Sequence, residues 1–200
     1  MLLASKDREA IEGLKRLLST EFEMKNLGKA QKILGMEVKR NRKQGNLFLS
    51  QAGYVKKVLE KFNMAEAKTV QTPLAAHFRV SSSQAPKKEQ ERSYMYKVSY
   101  SNATGSLMYA MICTRPDIAH AASLVSRFMA SPGQEHWSAV KWLFRYLRGT
   151  QGIGLVYTEE GKVETDVSSY VDADYAGDLN KHRSLTSYVF MVVRKLTYRP

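Results

Sequence analysis

The chain has 200 residues, of which 44% are hydrophobic and 25% are charged, and its formal net charge is +12. This composition is typical of a globular protein and excludes wholesale disorder. No apolar run approaches the ~20 residues that span a bilayer. The excess of Lys and Arg favours a polyanionic partner, most simply nucleic acid, with an acidic membrane surface as the alternative.

Cys113 is the one cysteine in the sequence, so no disulfide can form within the chain. It lies at the end of an apolar helical stretch, which favours a buried and unreactive thiol. A single thiol fits a reducing compartment. The short apolar start, Met1–Ala4, runs directly into charged residues, unlike a signal peptide. We therefore expect an intracellular protein, in the cytoplasm or the nucleus, with no membrane partner.

The first quarter of the chain predicts a helix, a hairpin and a second helix. The first helix runs from Ser5 or Asp7 to Phe22, and its apolar stripe is Ile11, Leu14, Leu17, Leu18 and Phe22. Residues 33–38 and 47–49 have the pattern of strands around a polar turn at 41–45. A helix from Gln51 to Asn63 follows. Residues 77–98 are polar and predict a solvated, mobile connection with a possible helical end.

Residues 100–150 predict three amphipathic helices with short connections, which should pack as a bundle. Thr114 is the expected N-cap of the second helix, with Pro116 in its first turn. Trp137 follows His136 at the start of the third helix, where packing and capping are the expected roles. Five basic residues are expected on or near the edges of the bundle: Arg115, Arg127, Lys141, Arg145 and Arg148.

After the bundle, residues 152–157 and 168–172 predict two strands around a turn at 159–162, and residues 187–193 predict a further strand. Asp172 and Asp174 form the one carboxylate pair with a catalytic context. Alternate residues of an extended strand point to the same face, so both would approach a single Mg²⁺. Two-metal cleavage of a phosphodiester requires further carboxylates from other elements.

Two stretches of the helical region carry a resemblance to a known family. They read GSLMYAMICTRPDIAHAASLVSRFM and EHWSAVKWLFRYLRGT. They resemble the Pol polyprotein of Copia-type LTR retrotransposons, and the order and spacing of TRPD, HW and RYLRGT carry the match. The resemblance runs from about Met1 to about Phe190.

The resemblance implies an α+β fold, with an N-terminal helix and β-hairpin, a central three-helix bundle, and an incomplete ribonuclease-H-like sheet at the C-terminus. Residues 1–75 would hold the end of the reverse-transcriptase palm, the primer-grip hairpin and a thumb helix. Residues 76–98 would be a linker and residues 99–150 a thumb or connection bundle. Residues 151–200 would be a truncated ribonuclease H-like segment.

The resemblance also implies a set of nucleic-acid-binding residues. Those at the primer-grip hairpin and the thumb helix are Gly35, Met36, Lys39, Arg40, Lys43, Lys56 and Lys57. From the residues alone, Gly35 instead marks a bend or bulge. The basic residues of the hairpin are equally typical of a solvated turn, and the two lysines of the helix are typical of an exposed helix face. Asp172 takes the position of the first metal-binding aspartate of ribonuclease H.

The parent activities are RNA-directed DNA synthesis and cleavage of RNA in hybrids, both dependent on Mg²⁺. The chain contains no tyrosine-valine-aspartate-aspartate motif. Asp172 would be the one remaining carboxylate of an incomplete metal site. We therefore expect the chain to catalyse neither reaction alone and to bind no Mg²⁺ productively.

Three functional hypotheses follow. The chain is an inert product of a mobile element, a retained module that binds nucleic acid, or part of an enzyme completed by another chain. The expected partners are nucleic acid, as an RNA–DNA hybrid or a duplex, and the remainder of the Pol polyprotein.

Overall fold

The computed structural model describes residues 2–158, 167–178, 183–192 and 196–199. The helices are α1 (Arg8–Glu21), α2 (Ala52–Lys61), α3 (Glu89–Tyr96), α4 (Tyr100–Cys113), α5 (Ala119–Ser126) and α6 (Gln134–Gly149). The strands are β1 (Lys32–Ile33), β2 (Met36–Asn41), β3 (Asn46–Ser50), β4 (Gly154–Thr158), β5 (Val167–Asp178), β6 (Arg183–Val192) and β7 (Leu196–Arg199). This mixture of helices and antiparallel strands confirms the α+β class.

Helices α4, α5 and α6 pack together as the predicted three-helix bundle, and α2 packs against α6. Their buried positions recur at three- and four-residue steps, which places them on one side of each helix. On α6 these include Val140, Leu143, Phe144 and Leu147. The ring of Phe62, which follows α2, stacks on Phe144 with 5.1 Å between ring centroids. The main core therefore lies among these four helices.

A buried ion pair joins the start of the second bundle helix to the end of the third. Arg115 donates from Nη2 and Nε to the two carboxylate oxygens of Asp117, at 2.7 and 3.0 Å. Its Nη1 donates to the carbonyl of Thr150 at 3.0 Å, and the Tyr146 hydroxyl donates to Asp117 at 2.9 Å. The Arg115 side chain is 1% exposed. Its predicted place at the bundle edge is wrong, because these acceptors compensate its charge inside the protein.

Thr114 and the start of α2 make a second connection. The Thr114 hydroxyl donates to Gln51 Oε1 at 2.8 Å, and both side chains are buried. The prediction that Thr114 caps the next helix is therefore wrong. A one-turn 3₁₀ helix, Pro116–Ile118, begins after Arg115 and precedes α5. The Thr114 hydroxyl instead ties the bundle to the residue before α2.

The outward side of α6 holds the segment that follows α2. Three side chains donate to backbone carbonyls there: Arg148 to Ala65 and Ala67, Arg145 to Lys68, and Trp142 to Thr72. These carbonyls belong to irregular backbone, which needs partners from elsewhere. Arg145 and Arg148 thus lie at the edge of the bundle as expected, but they bind this chain's own backbone.

The segment predicted to be a solvated connection packs partly against the bundle. Val80 and Met95 are buried, and α3 occupies its second half. His136 Nε2 lies 3.0 Å from the carbonyl of Ser81. A side chain at Gly133 would overlap the carbonyl of Gln84. The prediction of a solvated connection is wrong for these residues, because two apolar side chains and several polar contacts fix them.

The strand after the bundle joins the N-terminal hairpin. The sheet has the order β1-β2-β3-β4-β7, with all neighbours antiparallel. Phe48 of β3 pairs with Val156 of β4. The predicted pairing of β4 with the next strand is wrong, because β3 and β7 occupy both sides of β4. The turn predicted at 159–162 lies outside the described residues.

Strands β5 and β6 form a separate two-stranded antiparallel sheet. Asp172 pairs with Ser187, and the register shifts between Asp174 and Asp178. The predicted strands at 168–172 and 187–193 fall within this pair, up to Val192. The ribonuclease H-like character of the C-terminal region stays a prediction, as does the division into four stretches.

The predicted N-terminal helix is confirmed as α1. Asp7 caps it, because its Oδ1 accepts from the backbone N–H of Glu9 at 2.8 Å. No residue of α1 is buried. The apolar stripe of α1 is therefore not buried in the core, although its pattern predicts core contacts. Leu17, for example, is 63% exposed.

We expect Asp117→Ala to lower the free energy of unfolding by about 3–5 kcal/mol, because Arg115 would be left buried without its counter-ion. Urea unfolding followed by circular dichroism measures this loss. The matched control is Glu89→Ala, which removes the exposed partner of Arg92 at 3.9 Å and should leave stability nearly unchanged. Equal losses in the two variants would show that the buried pair contributes no more than a surface pair.

Stability should also depend on the protonation of His136. The ring is buried; its Nδ1 accepts from the backbone N–H of Gly133 at 2.7 Å, so Nε2 carries the proton toward Ser81. Burial lowers the pKa of His136, opposed in part by the hydrogen bond to Ser81 and the nearby Glu135 carboxylate. The unfolded chain therefore binds the proton more readily than the folded chain.

The free energy of unfolding should rise as the pH is raised toward about 6.5 and stay level above it, with a slope of at most about 1.4 kcal/mol per pH unit. Urea unfolding at several pH values between about 5 and 7.5 checks this. His136→Gln should remove this component, whereas His120→Gln, at an exposed position, should retain it. An unchanged slope in His136→Gln would contradict the assignment.

Candidate nucleic-acid interface

A two-residue turn at Leu34 and Gly35 joins β1 to β2. Both residues have left-handed backbone angles, with φ of +46° and +72°. Ile33 pairs with Met36 across the turn, which is the geometry of a type I′ hairpin. Gly35 adopts this conformation freely, and both turn residues are exposed. Gly35 therefore does mark a bend, and its predicted contact with nucleic acid stays a prediction.

Tyr109 of α4 holds this turn against the bundle. Its hydroxyl donates a hydrogen bond to the carbonyl of Leu34. The edge of its ring meets Tyr54, with 5.1 Å between centroids and an interplanar angle of 66°. The Tyr54 hydroxyl in turn donates to the carbonyl of Ser106 at 3.2 Å. The predicted primer-grip turn is thus fixed by a helix that lies 75 residues further along the chain.

By default, a tyrosine in an apolar helical pattern is assigned to core packing, so Tyr109 is absent from the predicted site residues. That assignment is right for Tyr100, which is 2% exposed, but Tyr109 is 37% exposed. The sequence signal that could have identified Tyr109 was its position on α4. It falls outside the apolar stripe that includes Leu107 and Ala110.

Strand β2 is attached directly to the start of α2. Glu37 Oε1 accepts from the backbone N–H of Gly53 at 3.2 Å. A Cβ added to Gly53 would lie 2.8 Å from the same carboxylate oxygen. Position 53 therefore faces β2, and a side chain there would displace the carboxylate of Glu37.

This attachment fixes which basic residues lie together. Lys56 and Lys57 follow Gly53 by three and four residues, so they share its face of α2. Lys39 follows Glu37 by two residues, so it shares the same face of the sheet. All three lysines are exposed. We call the surface formed by Lys39, Lys56 and Lys57 the lysine face; it borders the junction of Glu37 with Gly53.

The other predicted cations lie elsewhere on the hairpin. Arg40 alternates with Lys39 and therefore points to the opposite face of the sheet. Lys43 lies in the turn after β2, where its backbone N–H donates to Asn41 Oδ1 at 3.1 Å. Both side chains are exposed. Three of the five predicted cations of this region thus lie on the two faces that meet at the junction of Glu37 with Gly53.

The hairpin and α2 concentrate the positive charge of the chain. From residue 37 to residue 61 there are seven Lys and Arg and two Glu. All seven basic residues are exposed. Of the two acids, the Glu37 carboxylate is bonded to Gly53, whereas Glu60 lies on the same face of α2 as Lys56 and Lys57. The surface therefore carries net positive charge, with seven basic residues against two acids.

Asp172 lies apart from this region, on the two-stranded sheet, and is exposed. Among the residues that the structure describes, no group of three His, Cys, Asp or Glu side chains is placed to hold a metal ion. The described side chains therefore do not fit the Mg²⁺ of the parent family. The idea that Asp172 and Asp174 share a metal stays a prediction.

Two further sequence expectations concern the thiol and the membrane. Cys113 is half-buried rather than buried, because it ends α4 at the side that also carries Tyr109. Among the described helices, none has the length and apolar character required to cross a membrane.

Comparison with known proteins shows what the chain is similar to. A family model described as reverse transcriptase (RNA-dependent DNA polymerase) matches residues 1–76, which hold α1, the hairpin and α2. The retrovirus-related Pol polyprotein from transposon TNT 1-94 of Nicotiana tabacum is 52% identical over 190 residues, 95% of this chain. The corresponding polyprotein from transposon RE1 of Arabidopsis thaliana is 33% identical over 189 residues, 94% of this chain.

A third relative is the secreted RxLR effector protein 161 of Plasmopara viticola. It is 43% identical over 96 residues, which are 48% of this chain and 66% of that protein. No solved structure matches the chain.

The match over residues 1–76 assigns the basic hairpin and α2 to the reverse-transcriptase class. The chain belongs to the family of Copia-type retrotransposon Pol polyproteins, as the TRPD, HW and RYLRGT motifs indicated. It spans 14% of the length of the tobacco polyprotein and 12% of the RE1 polyprotein. The activities and partners of the whole polyproteins are therefore matters of proposal for this chain.

Proposed function

We propose that this part of the Pol polyprotein binds nucleic acid, as an RNA–DNA hybrid or a duplex, through the lysine face. The observation that carries the proposal is the junction of Glu37 with Gly53, which brings Lys39 of β2 beside Lys56 and Lys57 of α2. Phosphates lie in two strands along a duplex, and cations from two elements suit such a surface. An intracellular location, in the cytoplasm or the nucleus, goes with this partner.

The orientation of α2 supports the proposal. Val55, Val58 and Leu59 are buried against the bundle, and the opposite side of the same helix carries Lys56 and Lys57. The core therefore holds the helix in place while its lysines stay in solvent. Lysines that stay in solvent can contact phosphates without a prior change in the protein, which favours fast, salt-sensitive binding.

We propose binding, rather than catalysis, for the residues that the structure describes. The parent reactions use divalent metal, and metal-dependent phosphoryl chemistry requires several converging carboxylates. The described side chains gather no such group. Other domains of the polyprotein are the proposed source of catalytic residues, and this chain would contribute grip on the substrate.

The test is the binding of a labelled RNA–DNA hybrid to the purified chain across a series of salt concentrations. The triple variant Lys39→Gln, Lys56→Gln and Lys57→Gln should lower the slope of log affinity against log salt by about 3, because each phosphate contact contributes about 0.9. The matched control neutralises Lys6, Lys25 and Lys29, which are exposed outside the lysine face. It should change the slope little.

Equal changes in the two triple variants would show that binding follows overall charge and would overturn the lysine face. The variants Arg40→Gln and Lys43→Gln test the rest of the predicted set. Because they lie on the opposite face and in the turn, each should reduce the slope by less than one lysine of the lysine face.

A further inference from the structure

We propose that Tyr109 is a positioning residue: it fixes the exposed Leu34–Gly35 turn so that the turn backbone contacts nucleic acid held by the lysine face. This inference rests on the proposed function and adds to it a residue from the bundle. Tyr109 lies outside the stretch matched by the reverse-transcriptase model, which ends at residue 76.

The turn has little else to hold it. The side chain of Leu34 is 74% exposed, so it contributes no burial. Strand β1 has two residues and lies at the edge of the sheet, so it is paired with β2 alone. Leu34 also adopts a left-handed backbone angle, which is unfavourable for a residue with a side chain. The hydrogen bond from Tyr109 to the Leu34 carbonyl therefore acts on the weakest part of the hairpin.

Tyr109 is itself held in a defined orientation. Its ring packs edge-on against Tyr54, and Tyr54 is bonded to α4 through Ser106. A Cβ at Gly35 would lie 3.6 Å from the Tyr109 hydroxyl oxygen, in ordinary contact. The hydroxyl thus reaches the turn from a rigid helix, and it meets the face of the turn that points toward the bundle.

Strand β2 connects the turn to the lysine face. Strand β2 begins at Met36, directly after the turn, and Glu37 is the residue bonded to Gly53. A change in the direction of the turn therefore changes the position of its backbone relative to Lys56 and Lys57. The Cβ position of Gly35 faces Tyr109, so the opposite face of Gly35 presents backbone to a sugar edge.

The two parts should contribute differently to binding. Contacts between lysines and phosphates set the salt dependence and are insensitive to the kind of duplex. A close backbone contact senses groove shape and the 2′-hydroxyl, which differ between a hybrid and duplex DNA. Loss of the Tyr109 hydroxyl should therefore lower the preference for hybrid and leave the salt slope unchanged.

The experiment compares Tyr109→Phe with Tyr100→Phe in the full chain, because Tyr100 also lies on α4 and its hydroxyl donates to the carbonyl of Val125 at 2.8 Å. Both variants keep the ring and lose one hydroxyl bond to a backbone carbonyl, but only the first bond reaches the turn. Hydrogen exchange at the Met36 amide in the free protein should accelerate about two- to tenfold in Tyr109→Phe, as the loss of one hydrogen bond gives. The ratio of hybrid to duplex-DNA affinity should fall by a similar factor. Tyr100→Phe should change neither.

Unchanged exchange at Met36 in Tyr109→Phe would overturn the inference, since the hydroxyl would then not hold the turn. Faster exchange with an unchanged preference for hybrid would also overturn it, because the turn would not contact the nucleic acid. Absence of salt-dependent binding by the unaltered chain would instead refute the proposed function and the nucleic-acid role of Tyr109 with it. In that case the exchange measurement still reports whether the hydroxyl holds the turn.

Discussion

The buried pair of Arg115 with Asp117 is the interaction on which the rest of the structure depends. A guanidinium that is 1% exposed requires compensation. Asp117 and Thr150 accept its hydrogen bonds, and the Tyr146 hydroxyl donates to Asp117. The end of α6 is therefore fixed against the start of α5. Gly154, where β4 begins, follows Thr150 by four residues, so the same pair helps to place the strand that joins the bundle to the hairpin.

The bundle in turn supports the proposed binding surface from two directions. Its core packs against one side of α2. Tyr109 on its helix α4 donates a hydrogen bond to the Leu34–Gly35 turn. The bond between Glu37 and Gly53 completes the arrangement. The hairpin and α2 of the reverse-transcriptase part are thus attached to the helical bundle. This arrangement gives a mechanical reason for the two regions to occur together in one family.

The candidate site was predictable in its residue types and not in its grouping. Clusters of Lys and Arg in the hairpin and on α2 stand out in the sequence because they interrupt the apolar periodicity. Which of these residues share a surface depends on the contact between β2 and α2. The local sequence pattern does not show that contact. Lys39 and Arg40 are neighbours in the chain, yet strand alternation sends them to opposite faces. The local pattern places Tyr109 outside the apolar stripe of α4, but it does not show the partner of Tyr109, which is the backbone carbonyl of Leu34.

The sequence by itself determined the helices, the hairpin and the bundle, because their signals are local: apolar residues at helical spacing, alternation in strands, and turn residues between them. Tertiary structure alone decided that β4 pairs with β3, that Arg115 is buried, and that the polar segment around Val80 packs on the bundle. The physical reason is that strand pairing and the compensation of a buried charge depend on groups brought together from distant parts of the chain. A charged residue reads as exposed until its acceptors are known.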